Sequence, residues 1–321
     1  MESHTSLIIL GCATFAAVLL GLFVNIWLFA SIITSREIRV RMRNQIICSI
    51  LILHLLEIVF MQSITFFKTI DILWVMEWPL FKTCYYLDYS LSMSLIETVI
   101  SDYLIVIVCA IFLAQLLEFD PATRLTPVTL RLGKLAFLSF PWVLGLIAIP
   151  VSLELIAVKD YPCVKIDTSK HYVFCVIYTI LPICLSIMLI SAALLLRWRR
   201  FRLGPLTVQN NTGVQQMGLG AEIDNPLAYI AAVAVCVLCE IVSIFIIFEA
   251  SSGHSRGVYF NTAAQILAQS RLVLLPFVWL FLRDIRERVK TWRIWHGTGP
   301  APGVDLSVTY NYGDENTGFE L

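Results

Sequence analysis

The stretch from Cys84 to Glu118, CYYLDYSLSMSLIETVISDYLIVIVCAIFLAQLLE, decides the fold class of this chain, because it is long, mostly apolar and interrupted by two acids. As an α-helix rising about 1.5 Å per residue it would span about 50 Å, which exceeds the roughly 30 Å of a bilayer's hydrocarbon core. Glu97 and Asp102 lie in its middle. Because ionisable side chains at bilayer depth normally face a bundle interior, the stretch predicts a central helix surrounded by other helices.

The composition of the whole chain indicates a membrane protein with several spans. Hydrophobic residues make up 58% of the 321 residues and charged residues 14%, whereas a soluble domain carries about 25% charged residues. We therefore predict an all-α fold, a seven-transmembrane helix bundle. The seven apolar segments lie at about 7–34, 46–67, 84–117, 135–157, 172–196, 227–249 and 259–282.

Outside the predicted bundle, 7–282, the chain divides into three short parts. Residues 1–6 form an extracellular N-tail. Over 283–296, Ile285, Val289 and Trp292 recur at helical spacing between basic residues, which predicts an amphipathic helix with its apolar face on the inner leaflet. An ordinary basic flank of the last span is the alternative. Residues 297–321 contain too few large apolar side chains to form a core and are expected to be a disordered cytosolic tail.

The basic residues are distributed unequally between the two sides of the predicted bundle. The loops at 35–45, 118–134 and 197–226, together with the chain from 283, hold 16 of the 23 Lys and Arg residues. The other four segments outside the spans hold six, and Arg271 lies within the seventh span. Because Lys and Arg concentrate on the cytosolic side of membrane proteins, the N-terminus is expected outside and the C-terminus in the cytosol.

Of the nine cysteines, seven fall within apolar spans, where Cys acts as a small hydrophobic residue. Only Cys84 and Cys163 fall on the predicted outer, oxidising side. We predict a disulfide between them. Two unrelated free thiols are the alternative.

The order and spacing of several residues resemble the rhodopsin-like (class A) G-protein-coupled receptors. Seven spans with the N-terminus outside, and a Cys that opens the third span, agree with that family. The other positions that carry the resemblance are Asn25, Trp142, Pro182 and Pro276. The resemblance covers nearly the whole chain and implies a plasma-membrane receptor that passes an extracellular chemical signal across the bilayer.

The sequence departs from the family at its signalling motifs. Where the third span should carry Asp-Arg-Tyr, it carries Val108 to Ala110 or, in a second register, Leu113 to Gln115. Cys239 to Val242 replaces Cys-Trp-x-Pro, and Leu275 to Trp279 replaces Asn-Pro-x-x-Tyr. The resemblance therefore implies an atypical receptor with weak or non-standard G-protein coupling. A non-signalling decoy receptor is a variant of this interpretation.

Ionisable residues within the spans predict an intramembrane polar network. Arg271 stands where a polar residue of the family's sodium site belongs, so we expect its guanidinium to replace sodium and to pair with the acids. A contact of Arg271 with backbone carbonyls, or snorkelling to the surface, is the alternative. His54 adds a group that can titrate near physiological pH. The network residues are His54, Glu57, Glu97, Asp102, Glu240 and Arg271.

The ligand is expected to be an unknown small molecule or peptide that enters between the outer ends of the spans. The candidate pocket residues are Asp88, Leu91, Glu97 and Glu240. Leu91 replaces the family's amine-binding Asp, so an amine pocket of that kind is not expected. The expected partners are a heterotrimeric G protein or arrestin and membrane lipids, with no nucleic acid.

Other classes of seven-span protein can be compared directly. A retinal protein needs a Lys in the last span, and 259–282 contains none. A zinc hydrolase needs several ligands around one metal, whereas His54 is the only His within a span. We therefore expect no enzymatic activity, cofactor or metal. A proton- or ion-coupled carrier or channel that uses the intramembrane acids and Arg271 stays as the alternative, although no inverted repeat supports it.

Overall fold

The computed structural model describes residues 2–64, 66–67, 70, 84–117, 126–156, 176–203, 224–251 and 258–291. These residues are almost entirely helical, and none of them forms a strand. The helices, in chain order, are α1 (Glu2–Ile33), α2 (Arg36–Arg39), α3 (Met42–Leu56), α4 (Cys84–Leu116), α5 (Pro127–Ile156), α6 (Leu181–Leu203), α7 (Pro226–Ser251), α8 (Val258–Val278) and α9 (Arg283–Thr291). Turns of π-helix continue α3 over Glu57–Gln62 and precede α6 over Val176–Ile180, and a 3-10 turn follows α8 over Trp279–Phe281.

Five of these helices are long and apolar enough to cross a membrane. The qualifying segments are Ile8–Ile33, Met42–Phe60, Ile96–Leu116, Val128–Pro150 and Val176–Arg200. A sixth is obtained if Ile266–Phe281 and the sharply bent Arg283–Thr291 count as one span. The predicted helical fold is confirmed for the described part of the chain, which supports five to six spans of the predicted seven.

Local sequence explains where two of the helices begin. Pro127 opens α5 directly after Thr126, whose hydroxyl accepts the backbone N–H of Thr129 at 3.3 Å. Pro226 opens α7 after Asn225, whose side-chain Oδ1 accepts the N–H of Leu227 at 3.1 Å. An N-cap side chain followed by proline satisfies the free N–H groups of a first turn and sets its φ. The helix α5 therefore begins before residue 135, where the fourth apolar segment was predicted to begin.

The helix α4 occupies the centre of the bundle, as its acids predicted. It packs against α3, α5, α6 and α7, whereas α1 packs against α3 and α8, and α8 also packs against α7. In the apolar part of α4, 61% of the residues are buried, compared with 17% in α5. Large apolar side chains on the outer surfaces of α1 and α5, such as Phe23 and Leu146, are exposed. This surface fits contact with lipid.

Two glycines allow close approach between helices. A Cβ atom at Gly145 of α5 would collide with the side chain of Ile100 on α4. A Cβ at Gly21 of α1 would lie 2.9 Å from Cδ1 of Ile58. Small residues at such crossings let helix backbones approach closely, which is a main source of packing energy between helices in lipid.

The chain bends by 98° between the end of α8 and α9. Leu282 adopts an extended conformation (φ −76°, ψ 124°), which ends the helical path. Ile285 is fully buried in the protein core and Val289 packs against that core. A helix is present over Arg283–Thr291, and its apolar residues Ile285 and Val289 pack against the bundle. Trp292 and the predicted tail lie outside the described residues.

Candidate functional site: a buried central cluster and an inner ion cluster

Arg271 of α8 lies at the centre of a buried polar cluster. Its Nη1 donates to Oε1 of Glu240 at 3.0 Å, and its Nη2 donates to Oε2 of Glu97 and to Oγ1 of Thr98 at 3.3 Å. Oδ1 of Asp102 lies 4.0 Å from Nη1. All four charged residues are at most 5% exposed. One guanidinium therefore joins α4, α7 and α8 in the middle of the bundle.

The central cluster contains more acids than Arg271 can neutralise. The Glu57 carboxyl interacts electrostatically with Glu97, and the Asp102 carboxyl interacts in the same way with Glu240. Oε1 of Glu57 also accepts from Nε2 of Gln62 at 2.9 Å. We call Asn25, His54, Glu57, Glu97, Asp102, Glu240 and Arg271 the central polar cluster.

Asn25 connects this cluster to α1 and determines the tautomer of His54. Nδ2 of Asn25 donates to the carbonyls of Gly21 at 2.7 Å and Leu272 at 2.9 Å. Its Oδ1 is therefore the atom that faces Nδ1 of His54 at 3.2 Å. Because an amide oxygen only accepts, the proton of a neutral His54 is on Nδ1. Nε2 of His54 then points to Oε1 of Glu97, 3.8 Å away.

A small cavity adjoins the cluster between α4, α6 and α7. Its volume is about 10 Å³, which is close to the space that one water molecule requires. Asp102 and Ser186, which are both buried, lie beside it, but the surface that faces the cavity is apolar. The remaining lining residues are Ile105, Pro182, Ile183, Val233 and Cys236.

A second cluster of ion pairs joins the predicted cytosolic ends of the helices. The guanidinium of Arg43, at the start of α3, pairs with Asp224 just before α7 and with Asp284 of α9. Nδ2 of Asn44 donates to Oδ2 of Asp284 at 3.0 Å, and the hydroxyl of Tyr229 donates to Oδ2 of Asp224 at 2.7 Å. We call these five residues the inner ion cluster.

Burial distinguishes Arg43 from its neighbour Arg41. The Arg43 side chain is 3% exposed, and the Arg41 side chain, which contacts the same Asp284 at 3.2 Å, is 60% exposed. Tyr229 also stacks on Phe112 of α4 with ring centroids 4.2 Å apart. The inner ion cluster is therefore tied to the central helix by an aromatic contact.

The structure brings together most of the residues that the sequence singled out. His54, Glu57, Glu97, Asp102, Glu240 and Arg271 lie in one cluster, which Asn25 joins. Among the family-like positions, Trp142 donates from Nε1 to the hydroxyl of Ser49 at 2.9 Å, and Pro182 lines the cavity. Pro276 lies inside α8.

Three other predictions are not addressed by the described side chains. Asp88 and Leu91 belong to the first turns of α4, and their side chains lie outside the described set. The side chain of Cys84 and the whole of Cys163 also lie outside the described set, so the disulfide stays a prediction. Elsewhere in the described residues, Cys12, Cys48, Cys109, Cys184, Cys236 and Cys239 are free thiols.

Sequence reasoning missed the inner ion cluster. Arg43 was counted only among the basic residues of the predicted loop 35–45, Asp284 fell in the predicted amphipathic helix 283–296, and Asp224 was not singled out. One signal was available, because Arg43 precedes Asn44 and a long apolar run and so belongs to the first turn of a buried helix. Nothing in the sequence indicated that three distant segments would meet there.

The donor set of the two clusters agrees with ion pairing and hydrogen bonding. In the part of the chain that the structure describes, no group of three or more His, Cys, Asp or Glu side chains could hold a metal ion. A comparison with protein-family models gives no match for this chain, and a comparison with curated proteins gives none either.

Proposed function

We propose that this protein is an atypical seven-transmembrane receptor that transmits an extracellular chemical signal to its cytosolic face. The observation that carries the proposal is that two separate ion clusters both connect α3 with α7. The central polar cluster joins α3, α4, α7 and α8, and the inner ion cluster joins α3, α7 and α9. A shift of α7 at the central polar cluster must therefore be accommodated at the inner ion cluster.

Buried ion pairs are suited to such a switch because they are made or broken as units. Removing one partner leaves a buried charge uncompensated, at a cost of about 3 to 5 kcal/mol. Packed interfaces of this kind have discrete arrangements and do not deform continuously. A ligand that moves α7 relative to α8 would then change the inner ion cluster, which lies where a cytosolic partner would bind.

In this proposal α7 and α8 complete the set of seven spans. The 26 residues of α7 correspond to about 39 Å of helix, which is enough to cross the hydrocarbon core. The N-terminus is extracellular, which the distribution of basic residues supports. The protein resides in the plasma membrane. The ligand is an unidentified small molecule or peptide, and the candidate partners are a G protein or arrestin.

A carrier that moves protons or ions is the second candidate. The acid-rich cluster favours it, because intramembrane acids are typical of proton pathways. Its distinguishing property is net transport, which a receptor lacks.

The two functions can be separated with one set of variants. In cells, recruitment of a panel of G proteins and arrestin is measured for the wild type, Arg43→Ala and Arg41→Ala. We expect Arg43→Ala to change basal recruitment several-fold and the exposed Arg41→Ala to leave it unchanged. Purified protein in liposomes should show no proton, sodium or potassium flux. Flux that is abolished by Asp102→Asn, together with no recruitment by any variant, would establish the carrier instead.

A further inference from the structure

Asp102 differs from the other acids of the central polar cluster in its hydrogen bonds. Glu97 and Glu240 each accept an N–H of Arg271, and Glu57 accepts an N–H of Gln62. Neither oxygen of Asp102 accepts a hydrogen bond from any N–H or hydroxyl group of the described residues. The residue is nevertheless only 3% exposed. A carboxylate in that position would be a buried charge without a donor, which is strongly unfavourable.

The position of Asp102 beside Glu240 and Arg271 identifies the carboxyl that carries a proton. Nη1 of Arg271 lies 3.0 Å from Oε1 of Glu240 and 4.0 Å from Oδ1 of Asp102. Glu240 accepts the N–H of the guanidinium and is the ionised carboxyl, whereas Asp102 accepts none. Because an ionised carboxylate has no donor, a hydrogen bond between two neighbouring carboxyls needs an O–H on one of them, and Asp102 is the one without an N–H donor.

The charge balance of the cluster leads to the same conclusion. Four ionised acids against one guanidinium would give the central polar cluster a charge of −3. A proton on Asp102 reduces this charge to −2. Each buried ion without a partner costs several kcal/mol, so the protonated arrangement is strongly favoured.

The cavity beside Asp102 is too small and too apolar for a metal cation. Its volume is about 10 Å³, which is about the size of one water molecule. Asp102 and Ser186 belong to the residues around it, but the surface that faces the cavity is apolar. A sodium ion stripped of its hydration shell would find no oxygen ligands there.

We propose that Asp102 is a proton-binding site, which is independent of the receptor proposal. Its carboxylate takes a proton from a hydronium ion, which becomes water, and the resulting carboxylic acid donates its O–H to Glu240. This bond connects α4 to α7. Loss of the proton leaves two facing carboxylates, which repel each other and weaken that connection.

Several ionisable groups face Asp102 and set the environment of its proton. The α7 groups are Glu240 and Cys236, Arg271 comes from α8, and α4 itself supplies Glu97 and Tyr103. The helix α6 contributes Ser186, which lies beside the same small cavity. Glu57 and His54 of the α3 segment affect the electrostatic environment of Asp102 indirectly, through Glu97.

Infrared spectroscopy of the purified full-length protein tests the site directly. A protonated carboxyl has a C=O stretch that is separate from that of a carboxylate. At neutral pH we expect such a band, and we expect it to shift when all aspartates carry a heavy carbon isotope in the side-chain carboxyl. Asp102→Asn should remove the shifted component, and the exposed control Glu287→Gln should leave it unchanged. A band that the aspartate label does not shift would overturn the proposal.

Thermal unfolding supplies a second, independent measurement. Asparagine keeps the donor of a protonated aspartate, so Asp102→Asn should change the Tm by about 1 °C or less, whereas Asp102→Leu, which has no donor, should lower it by about 4 °C or more. Exchange of sodium chloride for choline chloride should not move the wild-type Tm. An Asn variant as unstable as the Leu variant, or stabilisation by sodium, would show that Asp102 holds a charge or a cation instead of a proton.

Discussion

Arg271 places a permanent charge in the apolar middle of the bundle, where Glu97 and Glu240 neutralise it. Replacing it with Leu leaves both carboxylates buried without their cation. We expect Arg271→Leu to lower the free energy of unfolding by about 3 to 5 kcal/mol and to be retained inside the cell. Surface labelling and thermal unfolding in detergent measure the two effects.

The control for this prediction is Arg131→Leu, which removes an exposed arginine from α5. It should reach the surface at the wild-type level. The double variant Arg271→Leu with Glu97→Leu should recover part of the lost stability, because one buried charge is removed with its partner. Arg271→Leu at the wild-type surface level, with unchanged stability and no sodium dependence, would mean that the ion pairs are not structural.

Cys84 and Cys163 are expected to form a disulfide on the outer side. A crosslink of this loop length should contribute a few kcal/mol in the chain-entropy model. Peptide mapping under non-reducing conditions should recover the two segments as one linked species, with the six described free cysteines as internal references for alkylation. Alkylation of both Cys84 and Cys163 without reduction would contradict the prediction.

Between elements, the inner ion cluster holds α9 and the start of α7 against α3. Because Arg43 is buried and binds two aspartates, Arg43→Ala should lower the free energy of unfolding by about 3 to 5 kcal/mol. Hydrogen exchange should then increase over Arg283–Thr291. The matched control Arg41→Ala removes an exposed contact to the same Asp284 and should cost about 0 to 1 kcal/mol. Equal losses in the two variants would indicate a simple effect of surface charge.

The packing of α5 on α4 can be tested with two glycines of the same helix. Gly145→Ala adds a Cβ that collides with Ile100 and should destabilise the protein by about 1 to 3 kcal/mol. At Gly133 a Cβ meets nothing within 4 Å, so Gly133→Ala should stabilise the helix by about 0.5 to 1 kcal/mol. Thermal unfolding of the two variants should therefore give shifts of opposite sign. A stabilised Gly145→Ala variant would show that α4 and α5 are further apart.

For the whole molecule, the distribution of basic residues predicts one orientation in the membrane. An epitope at the N-terminus should be detected on intact cells, and an epitope at the C-terminus only after permeabilisation. We further expect weak or absent nucleotide exchange on G proteins, because an Arg is missing where the family carries Asp-Arg-Tyr. Detection of the C-terminal epitope on intact cells would reverse the orientation, and strong agonist-driven exchange would contradict the expected output.

Much of the architecture could be predicted from the sequence because the bilayer leaves few alternatives. Within lipid, backbone N–H and C=O groups must be satisfied internally, so a long apolar run such as 84–117 becomes a helix. The acids Glu97 and Asp102 within that run also indicated that this helix would be surrounded by other helices. The first residue of a helix was harder to predict than its apolar centre. The helix α5, for example, begins at Pro127, directly after Thr126 and before its apolar run.

The sequence by itself determined the helical fold class, the central position of α4 and the membership of Arg271 in a polar network. Only the tertiary structure decided which atoms meet: Glu97 and Glu240 pair with Arg271, Asp102 is left without an N–H donor, and Arg43 lies buried between Asp224 and Asp284. The physical reason is that lipid dictates the backbone conformation of each apolar segment separately. The partner of a side chain depends instead on the rotation, depth and bending of helices that are distant in the chain.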